Sequence, residues 1–175
     1  MEGTEERPAN QHRYACCYCQ TGKEKSLAAR LNERYPEMRA SVAEKLSRRR
    51  QHGEWVDQKK LLFSSYVFLS FPSGELPKEL FKEGLRFLKT DGEWPLQGQD
   101  EEFARKLFAS DGVLGYSKAC FEGDRIRILS GPLMDYQGKI LRVDRRFRNC
   151  EVSITMGNRE VRVWLGYETV GPEND

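Results

Sequence analysis

The chain has 175 residues, room for one medium domain or two small ones with cores that need no disulfide staples. Charged residues make up 32% of it, yet the formal net charge is only +2, too weakly basic to imply a polyanionic partner by itself. No apolar run approaches the roughly 18 to 20 residues needed to span a bilayer. The opening Met1-Glu-Gly-Thr-Glu-Glu-Arg-Pro8 also lacks the apolar core of a signal peptide, so a cytoplasmic address without membrane contact is expected.

Residues 1–12 are polar and aperiodic and read as a disordered tail. Arg13 to Cys19 is apolar and short, a strand interrupted by Thr21-Gly22. From Lys23 to Tyr35 the apolar Leu27, Ala28, Leu31 and Tyr35 recur at helical spacing, with Thr21 as a candidate cap and Pro36 as the stop. Met38 to Lys60 is highly charged, contains Arg48-Arg49-Arg50, and turns at Gly53; it reads as a strand entering a long, mobile hairpin. Leu61 to Phe71 is the strongest strand of the first half, with Tyr66, Phe68 and Ser70 on one face and Val67, Leu69 and Phe71 on the other. A short helix is expected over Pro77–Phe81, a strand over Leu85–Leu88 and a helix over Asp100–Phe108 with Phe103, Leu107 and Phe108 on one side. The small, glycine-bearing stretch from Ala109 to Tyr116 reads as a linker.

From Cys120 the chain is β in character. Gly123-Asp124 marks a turn, Arg125-Ile-Arg-Ile128 alternates as a half-buried strand, and Gly131-Pro132 fixes another turn. Gly138 is expected where the backbone needs positive φ or a close approach. Val152/Ile154/Met156 and Val161/Val163/Leu165 alternate about a Gly157-Asn158 hairpin turn, and five short strands in about fifty residues close best as a small barrel.

Few residues offer chemistry. The five cysteines are an odd count with no C-x₂-C pairing completed elsewhere, and the two histidines, His12 and His52, do not supply the missing ligands. Reduced thiols acting as small hydrophobes are expected, with no metal and no cofactor. Thr21-Gly22-Lys23 fails as a phosphate loop because Cys17 stands where the first glycine belongs and Glu24 replaces the hydroxyl residue. No nucleophile, base and orienter assemble, so an enzyme is not expected.

Several segments carry a family resemblance. Phe121-Glu-Gly-Asp-Arg-Ile-Arg-Ile128 through Gly131-Pro-Leu133 and Gly138 resembles the KOW motif. Tyr14-Ala-Cys-Cys-Tyr-Cys-Gln-Thr-Gly-Lys-Glu24 resembles the opening strand and helix start of NusG-type proteins. Leu62-Phe-Ser-Ser-Tyr-Val-Phe68 resembles the family strand F-F-P-G-Y-V-x-V, with Ser64-Ser65 where proline and glycine are usual, and Met156-Gly-Asn-Arg159 resembles the closing turn. In this order, over residues 13–171, they resemble the NusG family of transcription elongation factors. The resemblance implies an α+β protein: an N-terminal NGN domain over 13–108, an antiparallel sheet flanked by helices, then a linker over 109–119 and an SH3-like KOW β-barrel over 120–171. It also implies a monomer that binds the clamp helices of RNA polymerase. Within the family, Asp144-Arg-Arg146 and Arg162-Val-Trp-Leu-Gly-Tyr-Glu168 most resemble the specialised, antiterminating LoaP branch, whose KOW domain engages an RNA hairpin.

The resemblance assigns sites residue by residue. Tyr18, Tyr66 and Phe68 match the aromatic face presented to polymerase; ordinary core packing is the alternative. Lys23, Arg30 and Arg34 match the side that approaches the non-template DNA strand, against a merely solvated helix face. The barrel adds a pattern of its own: Lys139, Arg142, Arg145, Arg146 and Arg148 with Phe147 interleaved, followed by Arg159 and Arg162. Guanidinium groups pair with phosphates and an exposed ring stacks on splayed bases, which suits RNA; a solubilising strand edge is the alternative. The rival readings are a general NusG factor bridging polymerase to Rho or the ribosome, and a ribosome-associated KOW protein.

Overall fold

The computed structural model describes residues 12–171. The expected disordered tail therefore lies, apart from His12, outside the described residues. In chain order the elements are β1 (Arg13–Tyr18), α1 (Glu24–Arg34), β2 (Arg39–Ser41), β3 (Glu44–Gln51), β4 (Glu54–Leu61), β5 (Tyr66–Phe71), β6 (Arg86–Phe87), α2 (Gly98–Ala109), β7 (Val113–Leu114), β8 (Ser117–Glu122), β9 (Arg125–Ser130), β10 (Ile140–Asp144), β11 (Asn149–Met156) and β12 (Arg159–Thr169). Short 3₁₀ segments occupy Lys78–Glu83 and Pro132–Lys139. The described residues form two compact units: 12–42 with 63–109, and 43–62 with 110–171.

The first unit is an antiparallel sheet of order β2-β5-β1-β6. In the β1–β5 ladder Tyr14 faces Ser70, Cys16 faces Phe68 and Tyr18 faces Tyr66, which puts all six side chains on one face of the sheet. Helix α2 covers most of that face: Phe108 packs on Tyr14, and Phe103 meets Phe68 at 5.6 Å and Phe63 at 5.5 Å between ring centroids. On the other face Ala15, Cys17, Val67, Leu69 and Phe71 are all buried, and α1 packs on β5 and β2 through Leu27, Ala28 and Leu31. Of the strand expected over Leu61–Phe71 only Tyr66–Phe71 is β5, because the chain turns through Ser64-Ser65 after β4 ends at Leu61; burial on both faces explains why β5 carries apolar side chains on each.

The start of α1 differs from expectation. Lys23 is the cap residue and no side chain caps the helix; the Thr21 hydroxyl instead shares a 2.6 Å hydrogen bond with Ser65. Buried Glu24 does the tying. Its carboxylate accepts the backbone N–H of Gly22 at 2.9 Å and of Ser65 at 2.8 Å, joining the helix start to the turn before β5.

The second unit joins a long hairpin to the C-terminal sheet. β3 and β4 pair without a break from Glu44↔Leu61 to Gln51↔Glu54, and His52-Gly53, both at positive φ, close a two-residue turn. Within the stretch read as a linker, β7 pairs in parallel with β3. The C-terminal sheet has the order β10-β11-β12-β8-β9. β12 produces its curl: it pairs antiparallel with β11 as far as Gly166, then in parallel with β8 from Tyr167. Leu133 in the 3₁₀ segment is fully buried, and Gln137 holds β9 by accepting the Ile128 N–H and donating to the Ile126 carbonyl.

Gly131, not Gly138, is the glycine the fold requires. Its φ is +97°, and a Cβ there would sit 2.6 Å from the Ser117 Cα, whereas Gly138 has open space about it and no positive φ. Gly157-Asn158 forms the expected positive-φ turn between β11 and β12.

Candidate functional site

In the first unit, Tyr18 and Tyr66 are neighbours at the end of the β1–β5 ladder, half-buried, with ring centroids 5.3 Å apart. Phe68, expected to face outward beside them, has no exposed surface; α2 crosses the sheet at that point and Phe103 covers it. Tyr18 lies beyond the helix and borders an open groove of about 370 Å³ lined by Cys19, Lys23, Ser26, Leu27, Arg30 and Leu85. The Arg86 guanidinium sits 5.9 Å from the Tyr18 ring, adding positive charge to the rim.

Of the three basic residues expected on α1, two are held by an acid. Arg34 lies 2.7 Å and Arg30 3.7 Å from the carboxylate of Glu83, whose side chain is only 5% exposed and also accepts the Tyr35 hydroxyl. Lys23 and Arg30 border the tyrosine groove; Arg34 does not.

The eight residues expected to meet RNA divide into three groups. Arg145, Arg146, Phe147 and Arg148 form the turn between β10 and β11, where Asp144 accepts the Phe147 N–H and Arg148 takes a left-handed conformation at φ 53°. Arg142 and Arg162 flank Glu151, a carboxylate only 4% exposed: Arg142 donates to it through Nε and Nη2, and Arg162 approaches within 3.8 Å. Lys139 precedes β10 at its end away from the turn, and Arg159 lies across the far end of β11, about 25 Å along an eight-residue strand. The eight therefore do not form one patch.

The basic turn has partners that sequence reasoning did not assign to it. The Arg145 guanidinium lies 3.9 Å from the centroid of the Phe121 ring, and Phe147 meets Trp55 of β4 at 5.7 Å with the rings perpendicular. Arg48, Trp55, Arg145, Arg146 and Arg148 together line a cavity of about 300 Å³. Cross-strand pairing accounts for the choice of residues: Arg48↔Asp57 and Arg50↔Trp55 share one face of the hairpin and Arg49 points to the other, so two of the three arginines of the Arg48–Arg50 run lie on the side of Trp55. An exposed tryptophan two residues beyond a hairpin glycine was the available sequence signal.

All five cysteines are free, and Cys16, Cys17 and Cys150 are buried. Burial pushes the Cys17 and Cys150 thiols up to about 12 and Cys16 well above the usual thiol value, which suppresses thiolate chemistry. Among the described residues no His, Cys, Asp and Glu cluster has a metal-holding arrangement, and no helix is long and apolar enough to cross a membrane.

Residues 122–155, from the end of β8 almost to the end of β11, match the KOW motif. Over 134 residues the chain is 28% identical to the transcription termination/antitermination protein NusG of Thermus thermophilus, an alignment covering 69% of this chain and 72% of the relative. The chain thus carries a KOW motif in its second unit and is similar to a NusG protein over more than two thirds of its length.

Proposed function

We propose that the chain is a NusG-type transcription factor of the antiterminating, LoaP-like kind, acting by binding and not by catalysis. In this reading an NGN-like domain holds the RNA polymerase clamp helices, and an SH3-like KOW barrel grips an RNA hairpin to keep elongation processive. The observation that carries it is the gathering of Arg145, Arg146, Phe147 and Arg148 on a single turn inside the KOW-matching residues, charge and an exposed ring side by side. Similarity to a protein named for termination and antitermination supports the transcriptional half. The groove beside Tyr18 is lined by apolar Leu27 and Leu85 together with basic Lys23 and Arg30, which suits the tip of a partner helix bearing acidic side chains. Lys23 and Arg30 on that rim are the candidates for approaching non-template DNA. The reading implies a cytoplasmic monomer without cofactor.

One observation favours the general NusG reading, in which the barrel bridges to Rho or the ribosome: Glu151 engages Arg142 and Arg162 and so offsets one of their two positive charges. Co-elution of the full chain with core RNA polymerase and a gel shift with leader-RNA hairpins separate the two. Tyr18→Ala with Tyr66→Ala is expected to abolish co-elution while leaving the RNA shift, and Arg145→Ala with Arg146→Ala to do the reverse. Phe68→Ala, which leaves a cavity under α2, should instead lower the melting temperature. Polymerase binding without any hairpin preference leaves the general reading; a wild-type chain that binds neither defeats both.

A further inference from the structure

Resting on the RNA reading above, we propose that the cavity between the β3–β4 hairpin and the β10–β11 turn is a pocket for one unpaired RNA nucleotide, its phosphate taken by Arg48 and the turn arginines and its base stacked on Trp55.

Four of the five lining side chains are arginines and the fifth is the largest aromatic residue, a composition that a hydrophobic contact would not select. Arg48 carries the inference furthest. Its side chain is 13% exposed, its guanidinium lies 3.8 Å from the centroid of the Tyr116 ring, and Glu168 is at 3.8 Å from Nη2. Its Nη1 is nevertheless buried with no hydrogen-bond partner, the only such side-chain atom among the described residues. A buried donor on a charged group is costly to leave unmade, and since Arg48 itself lines the cavity beside Arg145, Arg146 and Arg148, an anion drawn into it offsets a concentration of positive charge that Glu168 alone does not balance. Arg48 is also held in place before any ligand arrives. The Tyr116 hydroxyl donates to Asp57 at 2.6 Å, directly across the ladder from Arg48, and a Cβ at Gly166 would strike the Tyr116 ring at 2.5 Å. A guanidinium fixed in this way loses little freedom on binding an anion.

Trp55 supplies the other half. It is 44% exposed, Phe147 is 39% exposed, and the two rings stand at 89° to one another, so neither is stacked flat on its neighbour. Arg50 lies 5.5 Å from the Trp55 ring centroid, which leaves the tryptophan able to take a base on its remaining surface. The cavity, about 300 Å³, accommodates one nucleotide and not a duplex. Paired bases are excluded because their faces are already stacked, so the occupant is a nucleotide from a loop, bulge or single-stranded flank.

The test uses the full chain, a six-nucleotide single-stranded RNA, the same sequence as a blunt RNA duplex and as a deoxy hexamer, and the leader hairpin, with tryptophan emission and a gel shift as readouts. The hexamer is expected to quench emission in the wild type, and Trp55→Phe to remove that quench while retaining most of the affinity. Trp55→Ala and Arg48→Gln should each weaken the hexamer about ten-fold or more. Arg48→Lys, which keeps the charge without the fork, should recover only part of the loss. Unchanged melting temperatures establish that the variants are folded. If the hairpin binds the wild type, Trp55→Ala and Arg48→Gln equally well, the pocket is overturned while the RNA reading stands; if no RNA binds the wild type, both fall. A duplex that binds as tightly as the hexamer, or a deoxy hexamer that binds more tightly, also overturns it.

Discussion

Glu24 illustrates how much one residue decides in the first unit. Its carboxylate is buried at the start of α1, and the N–H groups of Ser65 and Gly22 hold its pKa below the ordinary carboxylate value against the opposing effect of burial. Because the folded value is depressed, its contribution is complete above the unfolded value near 4.5 and is lost as pH falls through the folded one. Thermal melts below about pH 4.5 should therefore fall less steeply for Glu24→Gln than for the wild type; parallel acid limbs would refute the assignment. Ser65 pays for the same junction with a left-handed backbone at φ 70°, a conformation that favours glycine. Ser65→Gly removes that strain and Ser65→Ala keeps it while losing the Thr21 hydrogen bond, so urea denaturation should rank the glycine variant above the alanine variant by about 1 kcal/mol. The T-G-x-E pattern was legible in the sequence, but the partner of Glu24 was not, since Ser65 lies 41 residues away.

Among elements, the 3₁₀ segment Pro132–Lys139 depends on the approach of Gly131 to β8. Ser117 is fully buried there and its hydroxyl accepts the Leu133 N–H at 2.8 Å, so backbone and side chain meet with no space for a methyl group. Gly131→Ala adds both that clash and a strained φ, and is expected to destabilise the second unit by about 2 to 4 kcal/mol in urea denaturation. Gly138→Ala should be nearly neutral in the same experiment, since it meets neither obstacle. The sequence pattern placed that requirement on Gly138 and gave Gly131-Pro132 only a turn; which glycine carries the close contact depends on how β8 folds back, and no local pattern reports that. Strands were easier to read, because the alternation of Val152, Ile154 and Met156 has the period of the buried face itself.

At the scale of the molecule, the proposed activities divide between the two units, and salt separates specific from incidental charge. If the turn arginines take phosphates, hairpin affinity should fall with salt at roughly 0.7 log units per phosphate per decade. Arg145→Ala with Arg146→Ala should then flatten that slope by more than one log unit per decade. Arg159→Ala, at the far end of β11, should leave the slope unchanged. Equal slopes for all three proteins, measured by gel shift at several salt concentrations, would make the turn an ordinary solvated edge.

The amino-acid sequence by itself determined the principal strands and both α-helices, though not β7 within the expected linker, together with the hairpin turn at Gly157-Asn158 and the basic composition of the β10–β11 turn, because each follows from contacts or conformations a few residues long. Tertiary structure decided the rest. Alternation along β5 assigns Tyr66 and Phe68 to the same face, but only the passage of α2 over that face buries one and leaves the other at the rim. Arg142 and Arg162 count as free positive charge in the sequence until the sheet register brings buried Glu151 between them. Arg48 and Trp55 lie about ninety residues from the basic turn, and they join it only because the β3–β4 hairpin packs beside β12 within the second unit. Local periodicity records which side chains share a strand face; what covers that face depends on residues far away in the chain, and so on the fold.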